Sequence, residues 1–183
     1  MTTLSTTSGS TTSGKATAAQ PARVHLCCGH QRFPGWINVD LVDFGQEIVA
    51  DLSQRWTFLE DGSVQQIFCK DGFEHQPDIQ HFLRESSRVL IPGGTLEIWV
   101  PHFKNPSAYR ITHHHYFSWS EFNIYPEPHD DVQDLKVVSN RLYVGWPQST
   151  LWRPIHALIN TVPKWWERLA YVSNLQIVFQ KRA

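Results

Sequence analysis

The chain has 183 residues, 41% hydrophobic and 18% charged, with a net charge of −1; that is the size of one domain with a substantial core, and a single active site is the expectation. Its lysines and arginines are scattered rather than striped, so the footprint of a phosphate-binding surface is missing and nucleic acid is not an expected partner. No apolar run approaches the roughly 20 residues of a membrane helix, and three cysteines, Cys27, Cys28 and Cys69, two of them adjacent, suit neither a disulfide framework nor a spaced zinc knuckle, which points to a soluble protein of a reducing, cytoplasmic compartment.

The opening residues MTTLSTTSGSTTSGKATAAQ are almost entirely Ser, Thr, Gly and Ala, with too little apolar surface to offset the entropy of ordering them. A disordered tail over residues 1–21 and one domain over 22–183 are expected. An organelle transit peptide is disfavoured, because Lys15 is the only cation where such peptides are rich in Arg.

From Arg23 the pattern changes. Val24, Leu26 and Cys27 form a short apolar run that stops at Gly29, a strand followed by a turn. Trp36 to Asp40 and Glu47 to Asp51 read as two further strands, each ending in an acid, and Val64 to Cys69 as a fourth, buried on both faces. Pro77 and Asp78 then open a helix with Ile79, Phe82, Leu83, Val89 and Leu90 at helical spacing, closed by Pro92-Gly93-Gly94. Thr95 to Val100 follows as a strand, completing a parallel βαβ unit. Residues 104–134 are dense in His, Tyr, Phe and Pro without periodicity, as in a lid or substrate loop. Beyond them, Leu135 to Val144 reads as a strand, Leu151 to Tyr171 as one or two helices broken at Pro154 and Pro163, and Leu175 to Phe179 as a closing strand.

In an open parallel sheet, ligands sit beyond the carboxyl ends of the strands. There the chain places Cys28-Gly29-His30, Asp40, Asp51, and the group Lys70, Asp71, Glu74 and His75. An acid ending the second strand suits two vicinal ribose hydroxyls, each charge-assisted hydrogen bond contributing roughly 1.5–3 kcal/mol.

The stretches His25-Leu26-Cys27-Cys28-Gly29-His30, Pro34-Gly35-Trp36-Ile37-Asn38-Val39-Asp40, Ala50-Asp51-Leu52, Phe73-Glu74-His75 and Arg88-Val89-Leu90-Ile91-Pro92-Gly93-Gly94-Thr95-Leu96, in that order, together resemble the type 11 group of class I methyltransferases. The resemblance covers about Val24 to Pro101. It implies an α/β Rossmann-like fold, with a mostly parallel seven-stranded sheet and shortened early helices, and S-adenosylmethionine as cofactor. Asp40 would hold its ribose and Asp51 with Leu52 its adenine. Leu26, Cys28 and Gly29 would lie under its methionine end, with Lys70 and Asp71 after the fourth strand near methionine or substrate. The run Thr112-His113-His114-His115-Tyr116-Phe117-Ser118 resembles a histidine-bearing loop over the active site of these relatives. The chain departs from the group at Cys27, usually glycine, and at Gln65, usually aspartate. About eleven residues separate Cys28 from Asp40, too few for a full first helix.

Other readings of these residues remain open. Asp40 and Asp51 could each be a polar strand terminus or an Asx turn, and Glu74 a structural partner for a backbone amide or Arg88. His75 could cap the following helix, and Lys70 and Asp71 could simply pair with each other. His75, His113 and His115 are the candidate general bases for a hydroxyl or amine acceptor. A metal on His113 to His115, completed by Asp130, Asp131 or His102, is disfavoured, since two same-face histidines fall short of a full ligand set. Trp165, Trp166 and Leu169 are expected to pack the last helix onto the sheet, with one indole ring partly exposed. The expected activity is methyl transfer to a small-molecule acceptor, a carbohydrate or another polar metabolite. The rival is a catalytically silent module of the same fold; a nicotinamide dehydrogenase is disfavoured because no Gly-x-Gly-x-x-Gly is present.

Overall fold

The computed structural model describes residues 20–128, 130–145 and 149–183. Residues 1–19 of the expected tail lie outside the described residues.

Seven strands form one sheet: β1 (Ala22–Leu26), β2 (Ile37–Asp40), β3 (Ile48–Val49), β4 (Val64–Lys70), β5 (Leu90–Pro101), β6 (Leu135–Tyr143) and β7 (Asn174–Lys181), in the order β3-β2-β1-β4-β5-β7-β6. The first five are mutually parallel, and β7 runs antiparallel to both β5 and β6. This is the expected mostly parallel α/β sheet. The chain builds outward from β1 to β3, then returns to lay β4 on the other side of β1. The carboxyl ends of β1 and β4 therefore frame the switch point where open α/β sheets bind ligands.

Several boundaries differ from the sequence-based expectation. β3 keeps only Ile48 and Val49 of the expected Glu47 to Asp51, because it is an edge strand whose neighbour β2 is itself four residues long. The helix α1 (Ile79–Val89) begins as expected, with the Asp78 carboxylate accepting from His81 N at 2.8 Å. It stops one residue early: Leu90 is extended and begins β5, since Ile91 precedes a proline, which disfavours helix there. Pro92-Gly93-Gly94 is thus a bulge inside β5 rather than a helix terminus, with Val64 opposite Leu90 but Gln66 already opposite Thr95. Gly93 supports the bulge at φ +80°, a conformation only glycine adopts freely. Pro154 does not break a helix; it occupies the first turn of α3 (Arg153–Ile159), where its missing N–H is harmless. Pro163 likewise opens α4 (Pro163–Leu169). Leu169 is 80% exposed and Trp165 63% exposed, so on α4 it is Trp166 that packs against the core.

The early helices are not merely shortened. Among the described residues no α-helix precedes Ile79; the segments joining β1 to β2, β2 to β3 and β3 to β4 are loops. Aromatic and polar side chains take over the covering role. Phe33, in the first loop, stacks on His25 at 4.2 Å and meets Phe68 at 5.3 Å. The loop is pinned by Asn38, whose amide oxygen accepts from Phe33 N at 2.8 Å and whose amide nitrogen donates to the carbonyls of Phe33 and Trp36. Between β3 and β4, Trp56 is fully buried against Phe82 of α1. Arg88 of α1 holds that loop, donating to Trp56 O at 3.0 Å and Leu59 O at 3.2 Å while pairing with Glu85 at 2.6 Å and Asp61 at 2.5 Å. No helix among the described residues is long and apolar enough to cross a membrane.

At the switch point Cys27 leaves β1 at φ +54°, a left-handed conformation that disfavours a side chain by about 1–2 kcal/mol. Its side chain is accommodated because the residue facing it, after β4, is Gly72. A Cβ on Gly72 would stand 2.5 Å from both Cβ and Sγ of Cys27 and 3.1 Å from Sγ of Cys69.

Two stability measurements test these packings. Gly72→Ala is expected to destabilise the protein by about 1–3 kcal/mol through overpacking, and most of that loss should disappear in a Cys27→Gly background. Equal losses in the two backgrounds, read from denaturant unfolding, would refute the complementarity of Cys27 and Gly72. Arg88→Ala leaves the buried Glu85 carboxylate without its charged partner, with only Trp56 N still donating to it, and is expected to lower stability by roughly 3–5 kcal/mol; a loss below 1 kcal/mol would show that the Trp56 loop holds itself.

Candidate active site

A cleft of about 610 Å³ opens where the carboxyl ends of β1, β2 and β4 converge. Gly29 forms its base at φ +52°, and nothing lies within 4 Å of where its Cβ would be. Asp40, the last residue of β2, is locked by two backbone donors: Gly29 N at 2.8 Å on Oδ2 and Val42 N at 3.1 Å on Oδ1. Leu41, Val42, Ala50 and Leu52 make one wall apolar, and Asp51 stands beside it. Asp51 Oδ1 accepts from Ser53 N at 2.9 Å. That is an Asx turn, and the Ser53 hydrogen bonds hold the Asp51 carboxyl below its usual range. The opposite wall is Asp71, Gly72, His75, Gln76 and Thr112.

Of the residues expected to hold a cofactor, the structure brings Gly29, Asp40, Asp51, Leu52 and Asp71 to the cleft. Leu26 and Cys28 lie beneath it, 0% and 4% exposed. Burial, reinforced by the Asp40 charge, pushes the Cys28 thiol up. Lys70 is not part of the lining; it sits 4.0 Å from Asp71 in a partly exposed ion pair. Cys27, the departure from the group's glycine, and Thr112, the first residue of the histidine-bearing segment, also line the cleft, as do Gly72 and Gln76, which were not singled out for it. Gly72 carried the signal that marks Gly29, a glycine just past a strand end.

The expected base candidates separate. His75 lines the cleft, its Nδ1 3.0 Å from the carbonyl oxygen of Thr112. His113 stands against it, ring centroids 4.6 Å apart and nearly perpendicular, with Nδ1 2.9 Å from Ala108 O. Burial pushes the His113 pKa down, so the ring is neutral in neutral solution. His115 lies elsewhere, its ring 6.3 Å from that of Phe117. Glu74 is 1% exposed and does not pair with Arg88; its Oε2 has no hydrogen-bond partner. Burial pushes the Glu74 carboxyl up to about 7, with Asp71 adding to the effect.

The histidine-rich segment is a fixed wall. His114 N donates to Glu74 O at 2.9 Å, and Phe117 is buried and stacked on Phe73 at 5.3 Å. Within it run a short α2 (Trp119–Phe122) and a 3-10 turn over Pro106–Tyr109. Glu167 of α4 ties it down, accepting from His102 Nε2 at 2.9 Å, Trp119 N at 2.5 Å and the Ser120 hydroxyl at 2.7 Å. Of the other residues considered beside the histidine run as metal ligands, His102 is thus fully buried on Glu167, Asp131 pairs with Arg84, and Asp130 accepts from Glu127 N.

The cleft matches a nucleoside-bearing cofactor in three respects: its volume lies in the range of small-molecule sites, the open space at Gly29 lets a ligand approach the backbone, and an oriented carboxylate stands beside an apolar wall.

Comparison with known proteins gives the same direction. The family described as a methyltransferase domain matches residues 13–98. No curated protein matches the chain. Among solved structures, an S-adenosylmethionine-dependent methyltransferase from Archaeoglobus fulgidus aligns with TM-score 0.60 at 13% identity, covering 88% of this chain and 86% of its own. One from Mesorhizobium loti aligns with TM-score 0.55 at 15% identity, covering 87% and 90%. The [4+2]-cyclase SpnF aligns with TM-score 0.58 at 11% identity, covering 89% and 76%. At such identities the likeness shows the fold, while the family match covers every cleft-lining residue except Thr112. The chain therefore has the fold of the S-adenosylmethionine-dependent methyltransferases, and its residues 13–98 match the methyltransferase-domain family.

Proposed function

We propose that the protein transfers the methyl group of S-adenosylmethionine to a nucleophile on a small polar molecule bound between the cofactor and the His75–His113 wall. The observation that carries this reading is Asp40: a carboxylate held in one orientation by Gly29 N and Val42 N, with lone pairs left on both oxygens for the two ribose hydroxyls. Asp51 and Leu52 are assigned to the adenine side, and the Gly29 turn with Asp71 and Gly72 to the methionine side.

The bound cofactor supplies an activated methyl group on a sulfonium. The protein's own task is alignment and exclusion of water, which can lower such a barrier by about 7–11 kcal/mol without covalent catalysis. Where the acceptor is a hydroxyl, its proton needs a base. Each carbonyl beside His75 Nδ1 and His113 Nδ1 can only accept, so the imidazole proton stays on Nδ1 and the lone pair on Nε2. His115 has no part in this reading, since the structure keeps it from the cleft.

The silent-scaffold reading draws on a specific feature, the Cys27 side chain at the cleft floor. SpnF, named as a cyclase, illustrates that this fold serves more than one reaction.

Calorimetry with S-adenosylhomocysteine tests the cofactor site. Wild-type protein is expected to bind, and Asp40→Ala to bind at least about tenfold more weakly, in line with the loss of one or two charge-assisted hydrogen bonds. Unchanged affinity in Asp40→Ala would remove the ribose assignment, and absence of binding by the wild type would favour the scaffold. With an acceptor identified by screening, His113→Ala is expected to lower kcat by about 10²-fold or more while leaving S-adenosylhomocysteine affinity within a factor of about two. A kcat within about twofold of wild type would exclude His113 from the chemistry.

A further inference from the structure

We infer that Glu74, His75 and His113 form a binding site for one first-row divalent transition ion, zinc being the best match, at the acceptor end of the cleft. One carboxylate oxygen of Glu74 and one ring nitrogen each of His75 and His113 all lie within 4.8 Å of one another.

Three independent features of these residues fit a cation. First, Nδ1 of each ring faces a backbone carbonyl, Thr112 O at 3.0 Å and Ala108 O at 2.9 Å. This is the arrangement that fixes the tautomer and orientation of metal-binding histidines, leaving Nε2 to the ion. Second, Glu74 is a carboxylate 1% exposed whose Oε2 meets no hydrogen-bond donor, and a buried oxygen without a donor is unfavourable unless a proton or a cation reaches it. Third, Asp71 lines the same cleft as His75, which adds a second carboxylate at this end.

Ligand chemistry selects the ion. Two imidazoles and one carboxylate suit zinc and its neighbours, whereas magnesium and calcium take oxygen donors. Tetrahedral bonds of about 2.0–2.2 Å place donors about 3.4 Å apart, so donors up to 4.8 Å apart must close by up to about 1.4 Å. His75 and His113, both partly exposed, have the freedom to do so. Three protein donors leave a coordination position open, the mark of a reactive rather than a structural zinc site. Because His75 lines the cleft, that position is available to water or to an oxygen of the methyl acceptor, whose proton the ion would make easier to remove. With the ion bound, the two rings act as ligands rather than as bases. This last step rests on the methyl-transfer reading; the ion site itself does not.

The test uses the full chain without an affinity tag, stripped with chelator and titrated separately with Zn²⁺ and Co²⁺ by calorimetry, with the visible absorption of Co²⁺ as a second readout. One ion per chain is expected, with dissociation constants in the micromolar range or below. His75→Ala and His113→Ala should each weaken binding by about 10–100-fold and alter the Co²⁺ spectrum, while His114→Ala, on an exposed neighbour, should leave both unchanged. Glu74→Gln should weaken binding comparably; since it alters a buried position, its folding is checked by thermal unfolding, and the two histidine variants carry the test if it unfolds. No saturable binding by the wild type, binding that survives both His75→Ala and His113→Ala, or loss of binding in His114→Ala would each overturn the assignment. S-adenosylhomocysteine binding measured on the same stripped protein separates this outcome from failure of the cofactor site.

Discussion

Ten residues, 27–36, connect two parallel neighbouring strands, and much of the molecule follows from that constraint. A parallel connection must carry the chain back along the strand, usually through a helix and a dozen or more residues. Ten extended residues reach at most about 33–36 Å, enough for the return but not for a helix beside it. The sheet face that a helix would cover is left to side chains. Phe33 stacks on His25 and approaches Phe68, and Asn38 satisfies the backbone of the loop that carries Phe33. Glu47 joins the same node, accepting from both the backbone and the side-chain nitrogens of Asn38 at 3.0 Å, so the second loop depends on the first.

The same shortness shapes the cleft. With no helix starting after β1, no row of helix N–H groups faces the cofactor. What remains is a turn with two positive-φ residues, Cys27 and Gly29, and the Asp40 carboxylate that ties the turn to β2. Asp40 therefore has a structural role that leaves room for the proposed binding role: it accepts from Gly29 N and keeps lone pairs free. Cys27 would be an obstacle at this point were Gly72 any other residue. The side chain added on one side of the switch point is matched by the side chain absent on the other.

Strand ends were legible in the sequence because they are local: a short apolar run, then an acid or a glycine, identifies Gly29, Asp40 and Asp51 without any knowledge of partners. The sheet followed from the same pattern. What was not legible depends on tertiary contacts. Leu90 fits the helical spacing of α1, but its neighbour Ile91 precedes Pro92, and pairing with Val64 decides for the strand. Leu169 fits an apolar stripe on α4, yet the stripe faces solvent and Trp166 makes the contact. His75 and His113 read as separate candidates because the bond that unites their segments, His75 Nδ1 to Thr112 O, spans 37 residues of sequence. His115, one turn of an extended chain from His113, shares its pattern but not its surroundings.

The two ends of the cleft are built on different principles, and this bears on what the fold can determine. The end built on β1 and β2 consists of a backbone turn and strand termini, set by Gly29 and the Asp40 carboxylate. At the acceptor end the walls are side chains from a segment fastened at three places: to the Phe73–His75 turn through His114 N, to the core through Phe117, and to α4 through Glu167. In the proposed reading, a wall held that firmly would recognise an acceptor by shape and by a few fixed polar groups rather than by closing over it. Among those groups Glu74 is the least economical for folding alone. A buried carboxylate oxygen without a donor weakens the native state. The proposed ion site accounts for such a group: beside His75 and His113, a cation would complete the oxygen that the fold leaves without a donor.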